Sequence, residues 1–267
     1  MIMQKIIFPA PASGLMTAIS AASFIGITAS GISEVRGKHL QYSKFWKAGS
    51  QNRSPLIKQI KLPSRAGMLL LYAPAFLAGA ASFFLFPDEG LRFLLVQLAV
   101  SIHFFKRIFE VLFIHKYSGG MILDSALTIS LSYFVSSAFM IYAQHLTHGS
   151  TEPAVDLMYP GVLVYVIGIC GNFYHHYLLS ELRGNEGKKE YKIPRGGLFD
   201  LVICPHYLFE ILIFWGIFFI SQTVYAFCFA LATTFYLMGR SYATRKWYLS
   251  KFDHFPNHVK ALIPFVF

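Results

Sequence analysis

Charge is what this 267-residue chain has least of. Only 13% of its residues are charged and 55% are hydrophobic, about half the charge of an ordinary soluble domain; the mean hydropathy is +0.51. That excludes a water-soluble globule and points to a bilayer. Acidic residues are scarcer still: 13 Asp and Glu stand against 23 Lys and Arg, a formal net charge of +10. Cysteine is limited to Cys170, Cys204 and Cys228, all in or beside apolar stretches, which excludes a disulfide framework or a cysteine zinc cluster. Neither GxGxxG nor GxxxxGK[ST] occurs, so any nucleotide is held by something other than a Rossmann or P-loop site. Internal repeats and low-complexity tracts are missing too.

What is present is a series of apolar runs of helix-spanning length. Seven are expected, near 10–32, 67–86, 91–112, 122–145, 159–181, 201–220 and 223–240. The first is long enough to act as an anchor rather than a cleavable signal. With seven spans, the segments 33–66, 106–124, 181–200 and 240–267 share one side and hold 21 of the 23 Lys and Arg residues. The opposite loops carry Asp88, Glu89, Glu152 and Asp156. The positive-inside rule then puts the amino terminus in the lumen and the carboxyl terminus in the cytosol. The basic charge belongs to cytosolic loops, chiefly 33–66, which is expected to rest on the lipid surface, and not to a nucleic-acid surface. The fold class read from the chain is all-α: one integral membrane bundle over 1–267 with about seven transmembrane helices.

Helical periodicity sorts the polar residues of the spans. His103, Lys106, Arg107 and Glu110 share one face of the third span; Asn172, His175, His176 and Arg183 share one face of the fifth; His206 and Glu210 are an i, i+4 pair on the sixth. Ionisable groups in a membrane are costly unless they line a polar cavity, so the three stripes are expected to converge. Each has a plainer reading: Lys106, Arg107 and Arg183 can snorkel to the interface, whereas the short side chain of Glu110 needs a partner such as Arg107. His175 and His176 lie about 100° apart on a helix with no second ligand pair, so no metal site is expected. Pro194 and Gly196-Gly197 shape a turn whose backbone N–H groups, with Lys192, Arg195 and Arg183 nearby, can hold phosphates; taken alone, it reads better as an ordinary helix–helix loop.

Taken together, Asn172-x10-Arg183, Tyr191-x-Ile193-Pro194-x-Gly196-Gly197-Leu198-Phe199, Pro205-His206-Tyr207, Glu210, Trp215, Arg240, Tyr248 and Lys260-Ala261-Leu262-Ile263-Pro264-Phe265 resemble the steroid 5-alpha-reductase family. The resemblance is closest over 172–267 and extends over 115–267. It implies a multi-pass enzyme of the endoplasmic reticulum membrane that uses NADPH to reduce a carbon–carbon double bond conjugated to a carbonyl in a lipid. By position it implies cofactor contacts at Arg107, Asn172, Arg183, Tyr191, Lys192, His206, Arg240 and Tyr248. Lys192 stands where the steroid enzymes have arginine, His206 where they have asparagine, and Thr244 where they have histidine. Their second-span glutamate is Tyr72 here and their third-span tyrosine is Phe104. The stretch from His103 to Ser118 instead resembles the very-long-chain trans-2-enoyl-CoA reductases, whose Pro-Asn-Tyr tyrosine corresponds to Tyr207, although the Gly-Gly-Leu-Phe loop is not typical of them.

Such a reaction needs a hydrogen-bond donor for the charge developing on the carbonyl oxygen. Tyr207 is the first candidate and Tyr72 the second, with Arg107 and Glu110 organising them. The substrate is a small lipid (steroid, enoyl-CoA or prenyl), and the oligomeric state is open. Two rival readings are a membrane methyltransferase using S-adenosylmethionine, whose ligand lacks phosphates and has little need of these cations, and an inactive scaffold that retains the reductase fold.

Overall fold

A computed structural model describes residues 3–11, 13–40, 42–45, 60–117, 119–182 and 191–267. A short turn, α1 (Met3–Ile6), precedes seven long helices: α2 (Gly14–Val35), α3 (Ser64–Leu85), α4 (Leu91–Phe109), α5 (Leu123–His145), α6 (Met158–Glu181), α7 (Pro205–Ser221) and α8 (Val224–Lys251). They occupy the seven expected segments. Among the described residues, α2, α3, α5 and α6 are long and apolar enough to cross a membrane. Their outer faces carry bare hydrocarbon, with Leu77, Leu131 and Leu163 each more than 60% exposed, which suits lipid rather than water. The protein is a multi-pass membrane protein.

Two boundaries depart from expectation. Helix α8 runs to Lys251 rather than stopping near 240, because Arg240, Arg245 and Lys246 end the apolar run while remaining good helix formers. Helix α7 begins only at Pro205, a residue suited to the first helical position. The preceding strand-like segment pairs instead with the carboxyl-terminal tail, Ile203 N donating to Lys260 O at 2.9 Å and Lys260 N to Leu201 O at 2.8 Å. The fold is not purely helical either. Strand β1 (Lys61–Pro63) pairs antiparallel with β2 (Gly120–Ile122), Leu62 opposite Met121, and clamps the starts of α3 and α5 side by side. Three-residue strands leave no periodicity signal to read.

Helix α6 packs along α7, α2 along α8, and α3 along α4 and α5, while α4 also meets α7 at the centre. Close approach depends on small residues: a Cβ on Gly161 would lie 2.6 Å from Ile220 N, and one on Gly216 would lie 2.6 Å from Tyr165 N. Pro74 lies inside α3 and donates no backbone hydrogen bond, so the Leu70 carbonyl one turn back loses its helical partner. Ser130 Oγ of α5 supplies the bond at 2.7 Å.

At the end holding the acidic loops, buried Arg92 donates to Ile220 O (2.7 Å), Gln222 Oε1 (3.0 Å) and Asp156 Oδ1 (2.8 Å). Gln222, left-handed at φ 50°, also receives Leu157 N on Oε1 at 2.9 Å and donates to the Val155 and Ile6 carbonyls. One side-chain pair thus joins the chain's beginning, the α5–α6 loop and the α7–α8 turn.

Ser130→Ala should leave the Leu70 carbonyl unpaired in apolar surroundings and lower stability by about 1–2 kcal/mol, read from unfolding in detergent, whereas Ser132→Ala should be neutral. The Asp156 carboxyl is held below its ordinary range by the Met158 N–H and by Arg92. Its contribution is therefore complete above the unfolded value of about 3.9 and lost as pH falls through the folded value. Asp156→Asn should flatten the melting temperature between about pH 5 and pH 3 relative to wild type.

Candidate active site

The inner face of α4 sets the centre. Its last turn widens at Glu110–Ile114, where His115 N bonds Glu110 O at 2.7 Å, a π turn of the kind found at functional positions. Glu110 is fully buried and holds two cations, Lys106 Nζ at 3.0 Å and Arg107 Nη1 at 2.6 Å. A buried carboxylate survives only with such compensation. His176 Nδ1 lies 3.0 Å from Glu110 Oε2 and 2.8 Å from Arg107 Nη1; protonated there it donates to the acid, and unprotonated it accepts from the guanidinium. Arg107 Nη2 donates to Tyr72 Oη at 2.5 Å. Lys106 also donates to Asn172 Oδ1, and Asn172 Nδ2 donates to His206 O (2.7 Å) and Glu210 Oε2 (3.1 Å).

Residues from all three expected stripes therefore meet: Lys106, Arg107 and Glu110 from α4, Asn172 and His176 from α6, His206 and Glu210 from α7. Among the described residues several buried nitrogens here have no partner, namely both ring nitrogens of His103, Arg107 Nε and His206 Nδ1. Glu210 Oε1 is 3.8 Å from His103 Nε2, too far for a hydrogen bond. Buried donors and acceptors are normally satisfied, so these atoms mark a place for a polar ligand.

His175 belongs elsewhere. Its Nδ1 donates to Gly171 O at 2.7 Å and its Nε2 accepts from Leu198 N at 3.0 Å. That bears on the glycine turn. Gly196 and Gly197 do adopt φ of +86° and +55°, but a Cβ on Gly197 would sit 2.8 Å from His175 Nε2. The backbone comes close to a histidine, and the Leu198 N–H is already used.

A second cluster surrounds Arg240. Its Nη1 lies 2.8 Å from both oxygens of Glu34, and its guanidinium sits between the rings of Tyr42 (4.3 Å) and Phe45 (4.4 Å). Glu34 also binds His39 Nδ1 at 2.7 Å and Leu40 N at 3.0 Å. The described residues 36–40 and 42–45 thus fold back as a strap on α8. Arg240 faces inward as expected, yet its charge is met by Glu34. Glu34 is the only Asp or Glu between 33 and 66; a lone carboxylate in a basic stretch was the available signal for it. Tyr42 had none, and its hydroxyl pairs with Tyr236 Oη at 3.2 Å.

The remaining expected residues distribute as follows. Tyr207 lies within reach of the Arg240 side chain and 4.3 Å from the His206 ring, so it joins the second cluster while Tyr72 joins the first. Tyr248 stacks on Phe252 at 5.7 Å under Lys44 Nζ at 4.5 Å, Tyr191 meets Trp247 edge-on at 4.8 Å, and Lys192 is exposed. Arg183 lies outside the described residues. Glu110, His115 and His176 bring ligand atoms within 4.8 Å of one another, a metal-like spacing. Arg107 and Lys106 already occupy the same acceptors, so a divalent ion there would meet two fixed positive charges.

Known proteins share this chain's pattern. The family model for 3-oxo-5-alpha-steroid 4-dehydrogenase matches residues 121–267. The very-long-chain enoyl-CoA reductase of Dictyostelium discoideum is 34% identical over 169 residues, 62% of this chain and 55% of that protein. Steroid 5-alpha-reductase DET2 of Gossypium hirsutum is 44% identical over 108 residues, 40% of this chain and 42% of that protein. The matched region thus spans about half the length of these two relatives. The 3-oxo-5-alpha-steroid 4-dehydrogenase 2 of Macaca fascicularis is 29% identical over 217 residues, 78% of this chain and 82% of that protein.

Glu34→Gln should strand the buried Arg240 charge and cost about 3–5 kcal/mol, read as a lowered melting temperature in detergent micelles. A loss under about 1 kcal/mol would mean that water already reaches the guanidinium.

Proposed function

This chain belongs to the 3-oxo-5-alpha-steroid 4-dehydrogenase family, and on that footing we propose that it reduces a carbon–carbon double bond conjugated to a carbonyl in a lipid, with NADPH as reductant. We place it in the endoplasmic reticulum membrane as one domain of seven spans, amino terminus lumenal and carboxyl terminus cytosolic. The basic ends of the helices, where Lys106, Arg107, Lys192 and Arg240 lie, then open to the compartment that holds NADPH. The observation that carries the reading is the buried meeting of Lys106, Arg107, Glu110, Asn172, His176, His206 and Glu210 beside Tyr72, with nitrogens left unpaired.

These residues fit a phosphorylated dinucleotide. Arg107 Nε and His206 Nδ1 are buried donors or acceptors without partners among the described residues. Tyr191 and Lys192 supply a ring and a cation at the exposed edge and Tyr248 a buried ring behind them, and Lys192 binds phosphate as a point charge rather than a bidentate fork. Arg183, Asn172 and Arg240 complete the set, Arg240 by exchanging Glu34 for phosphate oxygen. When bound, NADPH supplies the hydride.

The chain's own task is to meet the negative charge that develops on the carbonyl oxygen. Tyr72 is better placed for this than Tyr207. Arg107 Nη2 donates to Tyr72 Oη, so the tyrosine's own proton is directed away from the arginine and the O–H bond is polarised. Glu110 holds Arg107 in position through its 2.6 Å contact. Tyr207, beside Arg240, belongs to the cofactor side.

Titrating the purified full chain with NADPH, followed by protein fluorescence, tests the reading directly: saturable binding is expected, and none would end it. Tyr72→Phe should lower kcat by about 100-fold and leave NADPH affinity within about twofold, while Tyr207→Phe should weaken NADPH binding as it lowers turnover. The reverse pattern would return the donor role to Tyr207.

A further inference from the structure

Helix α5 contributes a tyrosine to this interior that no motif marks. Tyr133 stacks on Tyr72 with ring centroids 5.7 Å apart and 29° between planes, and meets Phe104 edge-on at 5.4 Å. It lies on the inward face of α5 with buried Ala126, Ser130 and Ser137, seven and three residues before it and four after. The outward face is Leu127, Leu131 and Phe134, which are 48%, 63% and 42% exposed. Yet Tyr133 is only half-buried. A side chain that faces inward and keeps free surface is not fully covered by its protein neighbours.

Its hydroxyl stands apart from those of the other interior tyrosines. Tyr165 donates to Ala99 O at 2.8 Å, Tyr225 meets Ser23 Oγ at 3.3 Å, Tyr42 meets Tyr236 at 3.2 Å, and Tyr72 is held by Arg107. Among the described residues Tyr133 makes no hydrogen bond, and its oxygen is not one of the sealed, unsatisfied atoms. Arg107 of α4 stands on the far side of Tyr72, the ring that Tyr133 stacks on. A phenol in an apolar bundle without a partner wastes a donor, unless a ligand supplies the acceptor. Phe104, only 1% exposed, has no oxygen to offer from α4, and Tyr133 covers its ring.

We propose that Tyr133 is a second catalytic hydroxyl, donating with Tyr72 to the carbonyl oxygen of the conjugated substrate. The proposal rests on the reductase reading above. A carbonyl oxygen accepts two hydrogen bonds, and two neutral donors set on one oxygen stabilise charge arriving there without reorganising. The donor that the steroid enzymes carry on the third span is here delivered from the neighbouring helix, across the Phe104–Tyr133 contact. Tyr133 keeps its proton throughout. A hydride joins the β-carbon, the electron pair shifts toward the carbonyl oxygen, and a proton from water completes the α-carbon as the dihydronicotinamide is oxidised.

The test uses the purified full chain in detergent with NADPH and two probes, progesterone and trans-2-hexadecenoyl-CoA. Tyr133→Phe should lower kcat by about 100-fold on whichever probe wild type reduces, with KM, NADPH affinity and melting temperature little changed. Tyr133→Phe with Phe104→Tyr should recover about tenfold of that loss, since it returns a hydroxyl to the same space. Difference infrared spectra of bound progesterone and bound trans-2-hexadecenoyl-CoA without NADPH should show a lowered carbonyl stretch in wild type that reverts in Tyr133→Phe. Unchanged turnover, a double variant no better than the single, or NADPH affinity and melting temperature falling in step with turnover would each overturn the assignment. If wild type reduces neither probe, the reductase reading fails on them separately. The carbonyl stretch then decides Tyr133 alone, and an unshifted band overturns it.

Discussion

A carboxylate with no access to water is the constraint on which the interior depends. Glu110 is fully buried on a helix whose outer face is hydrocarbon, and it is tolerated because Lys106, Arg107 and His176 surround it. Removing one charge from such a group strands the others. The same requirement fixes geometry: Arg107, drawn to Glu110 on one side, can reach Tyr72 on the other, and Lys106 is shared with Asn172. Helices α3, α4, α6 and α7 are thereby registered to one another by polar bonds that lipid cannot replace.

Glu34 and Arg240 repeat the solution at the α2–α8 contact, with the strap of Tyr42 and Phe45 closing the pair from outside. Close approach there needs glycine, since a Cβ on Gly31 would lie 2.7 Å from Phe235 O. His206 lies between the two clusters, its ring 5.4 Å from His176 and 4.3 Å from Tyr207. A ligand contacting His206 therefore touches the fields of both, which suits a long molecule with charge at one end and a reactive ring at the other. The far end of the bundle is tied by Arg92 and Gln222, away from either cluster.

Much of this was legible in the residues. The lengths of the apolar runs located all seven long helices, and periodicity placed His103, Lys106, Arg107 and Glu110 on one face, because a helix keeps its register without help from its neighbours. The glycine turn was legible in part: positive φ at Gly196 and Gly197 follows from residue type, but that His175 approaches the backbone there is something only folding reveals. Glu34 and Tyr133 were missed for the same reason. A single carboxylate or tyrosine has no periodicity, and its importance lies in a partner 206 positions away on α8 or a ring on another helix.

By itself the sequence determined the membrane class, the helices, their polar faces and the family pattern over the last hundred residues, since each follows from composition, short-range spacing or ordered motifs. Only the tertiary structure decided which stripes meet, that Arg240 is held by Glu34, that Tyr72 and Tyr207 sit in different clusters, and that Tyr133 covers Phe104. The reason is physical. Local periodicity fixes the direction in which a side chain leaves its own helix, whereas the neighbour it meets depends on how far helices slide and rotate before glycine contacts and buried charges lock them.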